Sequence, residues 1–240
     1  MRQRYDKTKL FCIALIIAFG VLFLSDFARM LAGRGIGAQT EKAVPQGDPT
    51  VAVYVEGQTP GARAASGSGV ILDVEEDVLW IVTAGHVLER AGTEYPVMVE
   101  FGEGSTTECL RYETASDADL AFLCIFKKDL PEGFQERTVA ETDKERYDAL
   151  TSGDIVQTRG YRDGKLITFS GALSEPWIYV EDFEQYMMVA VCGMDYGMSG
   201  GGLYDEDGHL IGIACGGNEQ GELAAVPLHV VWARFADLRR

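Results

Sequence analysis

The sequence predicts an all-β domain of the sandwich or barrel class, preceded by an apolar N-terminal segment. Three observations carry this reading. Ten short runs are rich in Val, Ile, Leu or aromatic residues, and Gly, Asp, Asn or Pro signals separate them. Outside the N-terminus, only the end of the chain has a convincing helical pattern. With 47% hydrophobic and 10% aromatic residues over 240 positions, the chain can fill one compact core or two small ones. Many short strands at regular spacing belong to sandwiches and barrels.

The elements follow in order. Arg2, Arg4, Lys7 and Lys9, set against Asp6, precede an uncharged run from Leu10 to Leu24. At 15 residues the run falls between a signal-peptide core and the roughly 20 residues of a spanning helix. No small-x-small cleavage site follows, since Ser25 to Arg29 suits one poorly. An uncleaved anchor over residues 1–27 is therefore expected, with a cleaved signal peptide and secretion as the alternative. The basic flank stays cytoplasmic, which puts the domain outside the cytoplasm at a cell surface or in a periplasm. Residues 28–49, rich in Gly, Gln, Pro and small side chains, read as a flexible tether.

Strands are predicted at Val51–Tyr54, Val70–Leu72, Leu79–Val82, Val97–Phe101 and Leu120–Ile125. Five more are predicted at Ile155–Arg159, Lys165–Ser170, Met187–Val191, Leu210–Ala214 and Leu223–Val226. A charged stretch poor in strand signals, residues 132–152, is the expected linker, with a short helix near Thr142–Ala149. A terminal helix covers Leu228–Leu238.

Charge narrows the function. The net charge is −16, and residues 1–34 carry six basic and two acidic side chains, so the remainder holds about −20. Such a domain repels nucleic acid and anionic headgroups, which excludes a role on DNA or RNA. The expected partners are polypeptides, together with the membrane that holds the N-terminal segment.

Cys12 lies in the apolar run, leaving Cys109, Cys124, Cys192 and Cys215. An even number in an exported domain permits two disulfides. Cys109 and Cys124 flank a hairpin turn near Ser116-Asp117 and so would lie opposite each other; buried thiols are the alternative. Spacing suited to zinc is absent, and no metal or cofactor is expected.

Three segments carry chemistry. Gly197-Met198-Ser199-Gly200-Gly201-Gly202-Leu203 sets a serine among glycines, which allow a sharp turn, an uncovered hydroxyl and peptide N–H groups converging on a substrate oxygen. A hydroxyl needs a base to act. His86 ends Ile81-Val82-Thr83-Ala84-Gly85-His86, a buried-looking strand running into a tight turn. Asp119 opens the apolar run Leu120-Ala121-Phe122-Leu123. A serine in a glycine loop is ordinarily a turn residue, and a lone histidine after a strand is ordinarily structural. Their occurrence in the order His, Asp, Ser reverses that weighting. His209, beyond the Asp205–Gly208 turn, and His229, in the terminal helix, have no motif around them.

The segments Thr83–Val87, Asp117–Leu123 and Gly197–Leu203 resemble the three active-site blocks of trypsin-like serine proteases. Their spacing is most similar to the bacterial HtrA-type and glutamyl-endopeptidase-like branches. Ser68–Leu72 and Ala224–Pro227 also resemble flanking strands of that family, so the likeness spans Val51 to Trp232. The resemblance implies two packed antiparallel six-stranded β-barrels, the first over residues 50–131 and the second over 153–226. The site would lie between them. It further implies that Asp119 orients His86, that His86 activates Ser199 for acyl transfer to water, and that the N–H groups of Gly197 and Ser199 form the oxyanion hole. By the same resemblance Gly193, Met194, Asp195, Ala214, Cys215 and Gly216 line the substrate pocket, and a Cys192–Cys215 disulfide would brace it.

Glutamyl endopeptidases have histidine where Ala214 stands, and trypsin has a carboxylate where Gly193 stands. A small or medium apolar side chain is therefore the expected preference, with Asp195 leaving a basic one open. The sequence given has no segment assigned to the PDZ domain common in HtrA-type proteases, nor an evident activation-cleavage site. Activity without zymogen processing is expected. Two positions depart from the family: Met198, where Asp or Asn is usual, and Gly202, where proline is usual. They leave room for a catalytically silent module that binds peptides.

Overall fold

The computed structural model describes residues 39–41, 47–59, 61–102, 104–130 and 138–239. The expected anchor, most of the tether, residue 131 and residues 132–137 of the linker lie outside them. Among the described residues, no helix is long and apolar enough to cross a membrane.

Two antiparallel sheets follow one another along the chain. The first consists of β2 (Thr50–Glu56), β3 (Arg63–Val74), β4 (Val78–Thr83), β5 (Val97–Glu100), β6 (Thr106–Cys109), β7 (Arg111–Thr114) and β8 (Ala121–Phe126), in the order β6-β5-β2-β3-β4-β8-β7. Along β5, Val97 and Val99 are buried while Met98 and Glu100 are half-buried, the two-residue period of a sheet with one covered face.

This sheet corrects the expectation of a closed six-stranded barrel. Its edge strands β6 and β7 are consecutive in the chain, separated only by Leu110, which is 76% exposed. Residues before Leu110 pair with β5 and those after it with β8, so the strand changes partner and hydrogen bonds do not close the ring. The result is a half-barrel.

The second sheet contains β9 (Ile155–Arg162), β10 (Lys165–Val180), β11 (Gln185–Val191), β12 (Gly202–Asp205), β13 (Leu210–Gly217) and β14 (Glu222–Pro227). Because β9 pairs with both β10 and β12, these six strands close as β9-β10-β11-β14-β13-β12. A short strand, β1 (Gln39–Glu41), adds to β10 at Ile167–Phe169.

Two helices complete the described residues. In α1 (Lys144–Asp148), the Asp143 side chain accepts from the Arg146 N–H and caps the first turn. In α2 (Leu228–Leu238), Leu228, Val231 and Phe235 form one buried stripe. The Phe235 ring lies 5.5 Å from Trp80 and 5.6 Å from Phe122, so a helix that follows the second sheet packs on the first. Burying a phenylalanine is worth about 1.5–3 kcal/mol. Tyr204, Ile213 and Val226 of the closed barrel join the core of the half-barrel, while Val156, Leu173, Met188 and Ile211 fill the barrel itself. The shared core fixes one sheet against the other.

The four described cysteines are free and buried, so neither expected disulfide, Cys109–Cys124 or Cys192–Cys215, forms. Register explains the first: Cys124 lies opposite Arg111 and Trp80, and Cys109 lies opposite Val97. For the second, Cys192 belongs to the core of the closed barrel and Cys215 to the shared core, so the two thiols serve different interiors. Burial pushes Cys109 up to about 11 and Cys192 up to about 12, which keeps both protonated and unreactive at neutral pH.

Candidate active site

His86 sits on a single 3-10 turn, Gly85–Leu88, entered from β4 through the extended residue Ala84. Burial of Val87 and Leu88 pins the turn, while the His86 side chain stays 38% exposed. Asp119 immediately precedes Leu120 and β8. Gly85 allows the close approach, since a Cβ there would lie 3.2 Å from both Asp119 Oδ1 and the Leu120 backbone. Asp119 thus holds the histidine twice: Oδ1 accepts from the His86 backbone N–H at 2.9 Å, and Oδ2 lies 2.8 Å from His86 Nδ1.

A carboxylate can only accept, so Nδ1 carries the proton and Nε2 keeps its lone pair. The hydrogen bond to Asp119 raises the His86 pKa above its ordinary value, against the opposing effect of burial. Burial pushes the Asp119 carboxyl up, but the hydrogen bonds and charge of His86, with the Cys215 thiol, outweigh it and hold it below its ordinary value. The pair is built to carry positive charge on the imidazole.

Ser199 arrives from the other sheet, in the loop between β11 and β12. Gly200 has φ of 86°, and its Cα approaches the Ser68 carbonyl, the Thr83 hydroxyl and the Ala84 N–H so closely that no side chain fits. That approach seats the serine loop against the segment carrying His86. The Met198 carbonyl accepts from the Gly201 N–H at 2.9 Å, so across the planar peptide the Ser199 N–H points the other way. Among the described residues, neither the Gly197 N–H nor the Ser199 N–H is used by a backbone carbonyl. The Ser199 hydroxyl donates to the Cys215 carbonyl at 3.1 Å.

Ser68 organises this junction, a role that sequence reasoning missed. It is fully buried on β3. Its hydroxyl donates to the Gly197 carbonyl at 2.8 Å and accepts from the Tyr161 N–H at 2.7 Å. Its own N–H donates to the Ser199 carbonyl at 2.7 Å, and its carbonyl accepts from the Thr83 hydroxyl at 2.6 Å. One residue therefore ties the serine loop, the closed barrel and the end of β4 together. A polar residue with glycine on both sides at the head of the apolar run Val70–Leu72 was the available signal.

The expected pocket residues divide. Gly193 lies against the Phe169 ring, at 3.2 Å from a notional Cβ, and Met194 faces Gly217. Asp195 is ion-paired to Arg162, which neutralises the charge that left a basic preference open. Ala214 and Cys215 turn their side chains into the two cores, so they offer backbone rather than side chains. Gly216 lies under Phe183, whose ring comes within 3.0 Å of a notional Cβ.

The two departures from the family pattern also have local reasons. Met198 is fully buried and packs against Gly160. At Gly202 an added Cβ would fall 2.5 Å from Cζ of the buried Tyr204 ring, so this tyrosine occupies the space a proline needs. Asp205, Asp207 and His209 form a group spaced for metal ligation. Arg146 already lies 2.9 Å from Asp207, and Asp205 Oδ1 accepts the N–H groups of Asp207 and His209. His229 lies 2.6 Å from the Tyr147 hydroxyl, remote in role from His86.

Comparison with known proteins agrees with this arrangement. The family described as the trypsin-like peptidase domain matches residues 67–213, more than half of the chain and a span that includes His86, Asp119 and Ser199. No curated protein matches the chain.

Proposed function

Since the chain belongs to the family of trypsin-like peptidase domains, we propose that it is a serine endopeptidase, of the HtrA-like or glutamyl-endopeptidase-like kind, working outside the cytoplasm. The observation that carries the proposal is the double hold of Asp119 on His86, which leaves Nε2 as a base on the segment against which the Ser199 loop is seated. In the reaction, the Ser199 hydroxyl leaves the Cys215 carbonyl for Nε2 and attacks a peptide carbonyl. His86 takes the proton and Asp119 stabilises the imidazolium. The Gly197 and Ser199 N–H groups receive the oxyanion; losing one such donor typically costs about 3 kcal/mol in barrier height. His86 returns its proton to the departing amine, and water, activated the same way, releases the acyl group.

The Leu10–Leu24 run would anchor the enzyme, with residues 28–49 as tether. The glycine at 193 and the neutralised Asp195 favour a small or medium apolar side chain at the bond cut. One observation favours a second reading, a silent peptide-binding module: the Ser199 hydroxyl is engaged with Cys215 rather than with His86. Incubating the full chain with an unfolded protein and reading fragments by mass spectrometry tests the choice. Fragments that vanish with Ser199→Ala support the peptidase; an intact substrate that nevertheless stays bound supports the module.

A further inference from the structure

Between Lys165 and Arg234 the chain contains no lysine or arginine, yet it holds ten acidic residues. Four of them are answered from outside this stretch: Asp195 by Arg162, and Asp205, Glu206 and Asp207 by Arg146. Asp182 and Glu222 are not. Among the described residues neither has a cationic partner, and the hydrogen bond that Glu222 accepts comes from the neutral Asn218 amide, at 2.8 Å.

Both acids line a cleft of about 450 Å³ that opens beside the end of β13. Its opposite wall is the 3-10 turn Glu181–Phe183 at the tip of the β10–β11 hairpin. The cleft borders the expected substrate pocket at two adjacent glycines, Gly216 and Gly217, that face opposite ways. A Cβ on Gly217 would meet Met194 at 3.1 Å, whereas one on Gly216 would meet the Phe183 ring at 3.0 Å. A chain laid along this strand sends successive side chains to alternate faces, one toward Met194 and the next toward Phe183. A side chain on the Phe183 side meets an aromatic ring, two carboxylates and, among the described residues, no competing cation.

We propose that this cleft binds a lysine or arginine side chain of an extended peptide, on the acyl side of the bond cut. The inference builds on the peptidase reading for that last clause alone. An ammonium or guanidinium group stacks on the Phe183 face and is drawn by Asp182 and Glu222, and the acidic stretch between Lys165 and Arg234 steers cationic chains toward the same edge.

The test is peptide binding to the full chain carrying Ser199→Ala, read by fluorescence anisotropy at low and high salt. Two labelled peptides share an apolar core and differ only in Lys or Glu at the neighbouring positions. The lysine peptide should bind on the order of tenfold more tightly at low salt, as two partly exposed charge pairs and a cation–π contact allow, and salt should shrink the gap. Asp182→Asn with Glu222→Gln should abolish the preference, and Asp182→Lys with Glu222→Lys should invert it. Equal affinities, or a preference that survives both pairs of substitutions, would overturn the proposal. Failure of the peptidase reading is seen separately, as an intact substrate with the unsubstituted chain.

Discussion

Replacing Ser68 by alanine removes one hydroxyl and breaks two hydrogen bonds, to the Gly197 carbonyl at 2.8 Å and from the Tyr161 N–H at 2.7 Å. The site is fully buried, so water cannot substitute. A buried polar group left without its partner costs about 1–3 kcal/mol, and with two such groups partly relieved by local settling the loss is about 2–4 kcal/mol. For a domain of this size that lowers Tm by roughly 5–15 °C. Catalysis should suffer as well, because Gly197 supplies one of the two proposed oxyanion donors and loses the hydrogen bond that holds its carbonyl on β3. Misplacement on the scale of an ångström costs up to about 100-fold in rate. The expected result is kcat reduced by about 10–100-fold with KM little changed, measured on a fluorogenic peptide well below the new Tm. A variant with Tm and kcat both unaltered would refute the reasoning that Ser68 holds the serine loop on β3.

Four further outcomes follow from the same geometry. His86 must be neutral to accept a proton, and Asp119 raises its pKa above the ordinary 6.5, so kcat/KM should climb with pH through a midpoint above that value. Asp119→Asn should move this limb to lower pH and reduce kcat about 10⁴-fold, and a pH–rate profile checks both. The pair should also stabilise the fold most between pH 3.8 and 6.5. The lowered carboxyl contributes above its unfolded value and loses the contribution as pH falls, while the raised imidazole contributes below its own and loses it as pH rises. Gly202→Pro, which restores the usual family residue, should destabilise the fold by about 1–3 kcal/mol through its clash with Tyr204, and a raised Tm would contradict that packing. Reducing agent should leave Tm unchanged, and Cys109, Cys192 and Cys215 should resist alkylation in the native protein at neutral pH. An intact mass showing two disulfides would contradict this.

Periodicity exposed the apolar strands and the terminal helix. Val51–Tyr54, Leu79–Val82 and Leu210–Ala214 each lie within an observed strand, and the terminal helix has the expected limits, Leu228–Leu238. Strands β6 and β7 were hidden because Thr106–Thr114 scatters Cys109, Leu110 and Tyr112 among Thr, Glu and Arg at a sheet edge, where little apolar area is buried. β12 was hidden because it begins within the glycine run and reads as part of the serine loop. The histidine and aspartate were legible because one ends and the other opens a strongly apolar segment, and the structure brings their side chains into contact. Disulfide pairing was not legible: hairpin spacing gives the approximate level of two cysteines but not the register that set Cys124 opposite Arg111. Only its glycine neighbours signalled the role of Ser68, and its partners could not be read, since all four of its contacts join residues far apart in the chain or on another strand.

Covalent labelling with a fluorophosphonate, read by intact mass and peptide mapping, tests the central claim most directly. A single adduct on Ser199, lost in His86→Ala and strongly slowed in Asp119→Asn, is the predicted result. A folded native chain that takes up no label, or one labelled equally well without His86, would contradict it.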